Sequence, residues 1–389
     1  MSARPPGRLK TAARGAIAPF IVMDVLRAAN ERAAEGHHVL HLEVGQPSAA
    51  APRRVRAAAA RALRRDRLGY TDALGYPPLR QAIAADYRDR LGVEIDWRRV
   101  VVTTGSSGAF VLAFLAAFDA GDRVALASPG YPAYRNILRA LGVEVVEIPV
   151  DAGSNFQPTP AHLDAIASPL HGLIAASPAN PTGTMLHRGE LFALMDACTE
   201  RGARFVSDEI YHGITYGVPA KSALERGGDV IVVNSFSKYF AMTGWRLGWM
   251  VLPEELLRPV ECLAQNLFIS PPALSQIAAV EAFACRDELD GHVAGYARNR
   301  ALLMEQLPRA GFGRLAEAEG AFYLYADVGE MSPDSAGLCR EILNRTGVAL
   351  TPGLDFDPRQ GNRFLRFSYA GSHADVAEAA RRLIAWRGR

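Results

Sequence analysis

Ser235-Phe236-Ser237-Lys238, near the middle of the 389-residue chain, is the stretch with the clearest chemical content. It follows Val230-Ile231-Val232-Val233-Asn234, an apolar β-branched run of the kind that a strand buried on both faces displays. Lys238 therefore stands just past a strand's carboxyl end, where open α/β sheets carry their sites. Its neighbours Phe236, Tyr239, Phe240 and Met242 are apolar, and a lysine withdrawn from water loses its proton more easily. An unprotonated amine forms a Schiff base with an aldehyde. Two serines before Lys238 and Thr243-Gly244-Trp245-Arg246 after it surround one amine with hydroxyls and a guanidinium, a setting that suits a phosphate.

An aldehyde that carries a phosphate is pyridoxal 5'-phosphate. Three more stretches accompany the lysine: Ser177-Pro178-Ala179-Asn180-Pro181-Thr182-Gly183, Ser207-Asp208-Glu209-Ile210-Tyr211 and Phe364-Leu365-Arg366-Phe367-Ser368. In this order and spacing the four motifs resemble the fold-type I pyridoxal-phosphate aminotransferases of class I/II, over nearly the whole chain. The resemblance implies transfer of the amino group of an L-α-amino acid to a 2-oxo acid by a ping-pong mechanism. It also implies a homodimer with shared active sites, and the scattered cysteines fit a reducing cytoplasm.

Chemistry on a lysine-bound aldehyde needs an electron sink, and the pyridine ring serves while its nitrogen stays protonated. A buried carboxylate beside that nitrogen holds the proton there. Asp208, closing the Phe205-Val206-Ser207 run, is the candidate. Lys238, Asp208 and Tyr211 form the expected catalytic set, with Lys238 as general base and acid. Tyr211 and Asn180 suit the ring's phenolic oxygen. Tyr131, in Ser128-Pro129-Gly130-Tyr131-Pro132, matches the aromatic that stacks on the ring in the family. Ser106, Ser107, Ser235, Ser237 and Arg246 are expected on the phosphate. Tyr70 matches the tyrosine that reaches across the dimer to it. Arg366 matches the family's Arg-x-Ser ending and would take the substrate α-carboxylate with its planar fork, Arg363 being the rival three residues earlier. Asn180 and Gly45 complete the expected substrate contacts.

Elements that could hold these residues are readable from periodicity. Strands are expected at Leu40 to Val44, Val100 to Thr104, Val124 to Ala127, Val143 to Ile148, Leu173 to Ser177, Arg204 to Asp208, Val230 to Asn234 and Leu247 to Leu252. Gly105-Ser106-Ser107-Gly108 reads as a tight turn opening a helix, whose free N–H groups expect an anion. Pro52 to Asp66 and a run through Leu79, Ile83 and Tyr87 read as helices, with Tyr70 in the loop between them. Strand and helix alternate, so the expected class is α/β, with a large domain built on a mainly parallel seven-stranded sheet covered by helices. Ala321 to Asp327, Val348 to Thr351 and Phe364 to Tyr369 suggest strands of a smaller α/β domain, interleaved with helices at Ser335 to Arg345 and His373 to Arg387. The expected division is 1–45 as an arm and helix joining the small domain, 46–285 as the cofactor domain and 286–389 as the small domain. Arg4, Arg8, Lys10 and Arg14 make the arm basic.

Composition narrows the partners. A net charge of +2 offers no footprint for nucleic acid or a membrane surface, which leaves a small-molecule amino acid and 2-oxo acid. No stretch has the apolar length of a membrane span. Cys198, Cys262, Cys285 and Cys339 stand apart without metal or disulfide spacing, and His37, His38 and His41 lack carboxylate or thiol partners at ligand spacing, so no metal is expected. A serine hydrolase using Ser107 is a distant rival, one residue off the Gly-x-Ser-x-Gly elbow. A cofactor-binding sensor without turnover is another. A β-lyase or decarboxylating enzyme shares the lysine and ring, and differs in needing no 2-oxo acid acceptor.

Overall fold

The computed structural model of the chain describes residues 9–167 and 169–388, so Arg4 and Arg8 of the basic arm lie outside the described residues. The first strand, β1 (Leu40–His41), stands apart from the large sheet. Among the described residues that sheet has seven strands: β2 (Val100–Thr103), β3 (Arg123–Ser128), β4 (Glu144–Pro149), β5 (Gly172–Ala176), β6 (Arg204–Asp208), β7 (Ile231–Ser235) and β8 (Gly248–Val251). Their order is β2-β8-β7-β6-β5-β3-β4. Pairing is parallel from β7 through β6, β5 and β3 to β4. β8 runs antiparallel to both β7 and β2. Helices cover both faces, so β2, β7 and β8 are buried along their whole length and their sequences show no alternation of apolar and polar residues.

The antiparallel β8 has a consequence for the site. A connection between antiparallel neighbours returns at the end where it left. Phe236 to Leu247, carrying Lys238 and Arg246, therefore stays gathered beyond the carboxyl end of β7.

The second sheet is antiparallel, with β9 (Arg314–Leu315), β10 (Tyr323–Asp327), β12 (Thr351–Pro352) and β13 (Phe364–Ser368) in the order β12-β13-β10-β9. Between β10 and β12, β11 (Val348–Ala349) pairs in parallel with β1, tying the early chain to the late chain. Early helices α1 (Ile21–Ala34), α2 (Arg53–Arg65) and α3 (Pro77–Leu91) precede the large sheet, and α4 (Gly105–Ala117) and α5 (Pro132–Leu141) pack on it. On α2, Val55, Ala58, Ala59 and Ala62 form the buried stripe at helical spacing while the arginines face out. No helix among the described residues is long and apolar enough to cross a membrane.

Three local expectations are corrected. Gly105 to Gly108 is not a separate turn but the first turn of α4, with Gly105 alone making the corner at φ +68°. The strand expected over Leu40 to Val44 stops at His41, and Glu43 is wholly buried instead of facing water. Its carbonyl receives the Thr351 hydroxyl at 2.8 Å and the Arg366 guanidinium, which draws that stretch inward. The strand expected over Val348 to Thr351 is broken into β11 and β12, which serve different sheets.

Candidate active site

A cleft of about 190 Å³ opens over the carboxyl ends of β6 and β7. Asp208 closes β6, Lys238 follows β7, and Ser106 and Ser107 come from the first turn of α4. Tyr131 enters just ahead of α5, Asn180 from the loop after β5, and Gly45 from the loop after β1. Arg366 reaches in from the middle of β13.

Lys238 is half-buried and its Nζ donates to the Gly45 carbonyl at 2.5 Å. Burial, then Arg366 and Arg246, push its pKa down to about 8, with Asp208 opposing. A lysine in this state carries a neutral amine for a useful fraction of the time at neutral pH. Asp208 is pushed the other way, up to about 6, because burial disfavours its charge. The Tyr134 hydroxyl and the Ile210 amide, the latter at 3.1 Å, donate to its two oxygens and hold the carboxylate form. Behind Asp208 lies a second buried pair. Glu209 Oε1 accepts from Ser207, Ser222 and the Ala223 amide, while His212 Nδ1 lies 3.3 Å from Oε2. Burial pushes the Glu209 carboxyl up and the His212 imidazole down, so both are held neutral and Asp208 is the anion that faces the cleft.

The anion end is built from backbone. Thr104 caps α4 without a side-chain hydrogen bond, leaving the first-turn N–H groups free to face a ligand. A Cβ on Gly105 would lie 2.5 Å from an Arg246 terminal nitrogen, so only glycine lets the guanidinium approach that turn. Arg246 itself is left-handed at φ +50°, a conformation that persists in non-glycine residues when surroundings impose it. Ser237 and Thr243 line the same end. Ser235 does not face the cleft: it is buried, with its hydroxyl on Leu247 O and Ser237 Oγ, and so holds Ser237. Tyr70 also stands away from its own chain's cleft, 83% exposed.

Arg366 is 3% exposed, and its guanidinium lies over the rings of Tyr323 and Phe356 at 4.3 and 4.7 Å. One terminal nitrogen donates to Asn180 Oδ1 at 2.8 Å and the other to Glu43 O, while Nε has no partner. Arg363 faces solvent and is paired with Asp327 at 2.6 Å. No histidine lines the cleft among the described residues, so Ser107 lacks there the histidine partner that a serine hydrolase of the expected kind needs.

These features fit pyridoxal phosphate: an amine of lowered basicity, a buried carboxylate opposite, and a glycine corner where a Cβ would fill the anion cradle. Comparison with known proteins gives the same reading. The family model for aminotransferases of class I and II matches residues 37–383. The chain belongs to the class I and II aminotransferases. It is thus a pyridoxal-phosphate-dependent enzyme of transamination. It is 54% identical over 381 residues to the valine–pyruvate aminotransferase of Mycobacterium tuberculosis, covering 97% of this chain and 98% of that one. A crystal structure of an aminotransferase from Mycobacterium tuberculosis superposes with a TM-score of 0.96 at 53% identity, covering 98% and 100% of the two chains. The aspartate aminotransferase of Thermus thermophilus with maleate gives 0.91 at 31% identity, covering 97% and 100%.

The aminotransferase cleft holds residues that sequence reasoning passed over. Tyr134 follows Tyr131 by three positions across the start of α5, and their ring centroids are 5.2 Å apart. Tyr323 comes from β10, and its hydroxyl lies 2.8 Å from that of Tyr211. Phe20, Val22 and Met23 line the mouth, with the Phe20 ring edge-on to Tyr131 at 5.8 Å. The tyrosine spacing was a usable signal; the other contacts join residues more than a hundred positions apart.

Proposed function

We propose that this aminotransferase takes a small branched aliphatic amino acid of the valine type as donor and pyruvate as acceptor. The observation that carries the reading is the wall of the cleft, where Phe20, Val22, Met23, Val44 and Ile210 are apolar. The arginines lining it among the described residues are Arg246 and Arg366. With these given to the phosphate and the α-carboxylate, none is left for a distal carboxylate. The relative named for valine and pyruvate supports the same choice.

Bound pyridoxal phosphate supplies an aldehyde and an electron-accepting ring. In the proposed arrangement Lys238 Nζ is the attachment point and the base that moves the proton of the substrate's α-carbon. Asp208 keeps the ring nitrogen protonated, supported by the Tyr134 hydroxyl. Asn180 Oδ1 accepts from Arg366, which leaves its Nδ2 to donate to the phenolic oxygen beside Tyr211. Tyr131 stacks on the ring. Ser106, Ser107, Ser237 and Arg246 take the phosphate, and Ser235 acts through Ser237. Arg366 turns its fork to the substrate carboxylate, with Gly45 lying alongside.

The same proposal includes a cytoplasmic homodimer in which Tyr70 serves the partner's site, and the division into 1–45, 46–285 and 286–389. What supports the dimer is an exposed apolar strip, Leu267 and Ile269 at 51% each, beside the Tyr70 loop. Thr71 N donates to Ser270 Oγ at 3.3 Å, which joins the two segments. The deciding experiment offers valine, isoleucine, alanine and aspartate to the holoenzyme with pyruvate and with 2-oxoglutarate. Valine with pyruvate is expected to exceed aspartate by about tenfold or more in kcat/KM. Aspartate equal to valine would overturn the substrate assignment.

A further inference from the structure

Tyr211 and Tyr323 meet at the cleft with hydroxyl oxygens 2.8 Å apart and rings edge to face at 5.7 Å. Both rings are buried. A pair of hydroxyls holds two protons, of which one lies in the shared bond and the other is left for a third acceptor. Which tyrosine donates to its neighbour therefore decides whose proton is presented to a ligand.

Two features set that direction. The Arg366 guanidinium lies 4.3 Å from the Tyr323 ring centroid, and a cation on the ring makes the phenol a stronger donor. Gly45 closes the other side of the Tyr323 hydroxyl: a Cβ built there would be 1.7 Å from Oη. Burial raises both phenols, Tyr211 strongly, and Arg366 offsets part of the rise at both, standing first among the opposing influences at Tyr323. The other charged groups of the cleft that face this pair are Asp208 from β6 and Lys238 after β7, whose Nζ is 5.9 Å from the Tyr211 ring centroid.

We propose that Tyr323 is a positioning residue that donates to the Tyr211 oxygen and so turns the Tyr211 proton toward the phenolic oxygen of bound pyridoxal phosphate. The inference rests on the role proposed above for Tyr211. A hydroxyl that accepts one hydrogen bond becomes a better donor in the next, so the Tyr211 contact is strengthened. A donor on the phenolic oxygen favours its ionised form and lowers the pH at which the lysine-bound cofactor loses its proton.

The test is the pH midpoint of the visible absorption change of the bound cofactor, read without substrate in four proteins: wild type, Tyr323→Phe, Tyr211→Phe and the double variant. Phenylalanine fills the same space, so packing against Gly45 and Arg366 is kept. Tyr323→Phe is expected to raise the midpoint by about half a unit to one unit, the weight of one hydrogen bond. Tyr211→Phe is expected to raise it further, and adding Tyr323→Phe to it is expected to change nothing more. An unmoved midpoint in Tyr323→Phe, or an equal shift in the Tyr211→Phe background, overturns the positioning role. An unmoved midpoint in Tyr211→Phe alone overturns the Tyr211 assignment, and with it this one.

Discussion

Lys238 and Asp208 show how one environment drives two groups in opposite directions. Burial lowers the lysine to about 8 and raises the carboxyl to about 6, because each is disfavoured in its charged form. For the cofactor-free enzyme, the rate of covalent uptake of pyridoxal phosphate is expected to rise with pH through a midpoint near pH 8 and to level off about one unit above it, where the neutral amine is the main form. Visible absorbance measured after mixing checks this; a rate still climbing steeply at pH 10 would mean an ordinary lysine. Glu209 offers a stability test. Unfolded, it releases its proton near 4.5, and folded near 8, so between those values the folded chain holds the extra proton and folding weakens as pH rises. His212 works in reverse between about 3 and 6.5, since there the unfolded chain holds the extra proton. The loss from Glu209 thus emerges above pH 6.5. In calorimetry of the cofactor-free protein, Glu209→Gln is expected to flatten the fall of Tm between pH 6.5 and 8, and parallel curves for the two proteins would count against the buried neutral acid. Both acids stand in the sequence as Asp208-Glu209, but which one faces the ligand depends on the strand pleat and on Ser222 and Ala223 arriving from beyond the motif.

At the scale of elements, the start of α1 is the least expected part of the site. Asp355 accepts the first two amides of that helix, Ile21 N at 2.9 Å and Val22 N at 3.1 Å. The carboxylate replaces the missing side-chain cap at Phe20 and fixes the turn that brings Phe20, Val22 and Met23 to the cleft. Losing such a cap costs about 1 kcal/mol, or about fivefold in an affinity that depends on the turn. Asp355→Ala is therefore expected to raise KM for an aliphatic donor about fivefold, with kcat less affected, and to speed hydrogen exchange in residues 20–26. Unchanged exchange and KM would show that the turn holds without its cap. A helix within residues 1–45 was legible, whereas its capping partner lies 334 positions away, and no local pattern announces a cap that distant.

For the whole molecule, the proposed dimer gives the exposed residues a purpose. Ile269 has φ +65°, a rare conformation for a β-branched residue, and displays its side chain to solvent. Tyr70 stands on the adjoining loop. The double substitution Leu267→Asp, Ile269→Asp is expected to convert a dimer to a monomer in light scattering and to weaken cofactor retention. A monomeric wild-type protein would refute the shared site.

The sequence by itself determined the strand and helix alternation, the lysine beyond a buried strand, the acid closing the strand before it and the arginine of the last strand. These follow from patterns only a few residues long, where β-branched runs, glycines and prolines act locally. Tertiary structure decided the rest: that β8 runs antiparallel, that Ser235 supports Ser237 instead of lining the cleft, that Tyr134 holds Asp208, and that Tyr323 stands between Arg366 and Tyr211. Each of those depends on side chains brought together from distant segments, and such meetings are set by how whole elements pack, which no stretch of a few residues encodes.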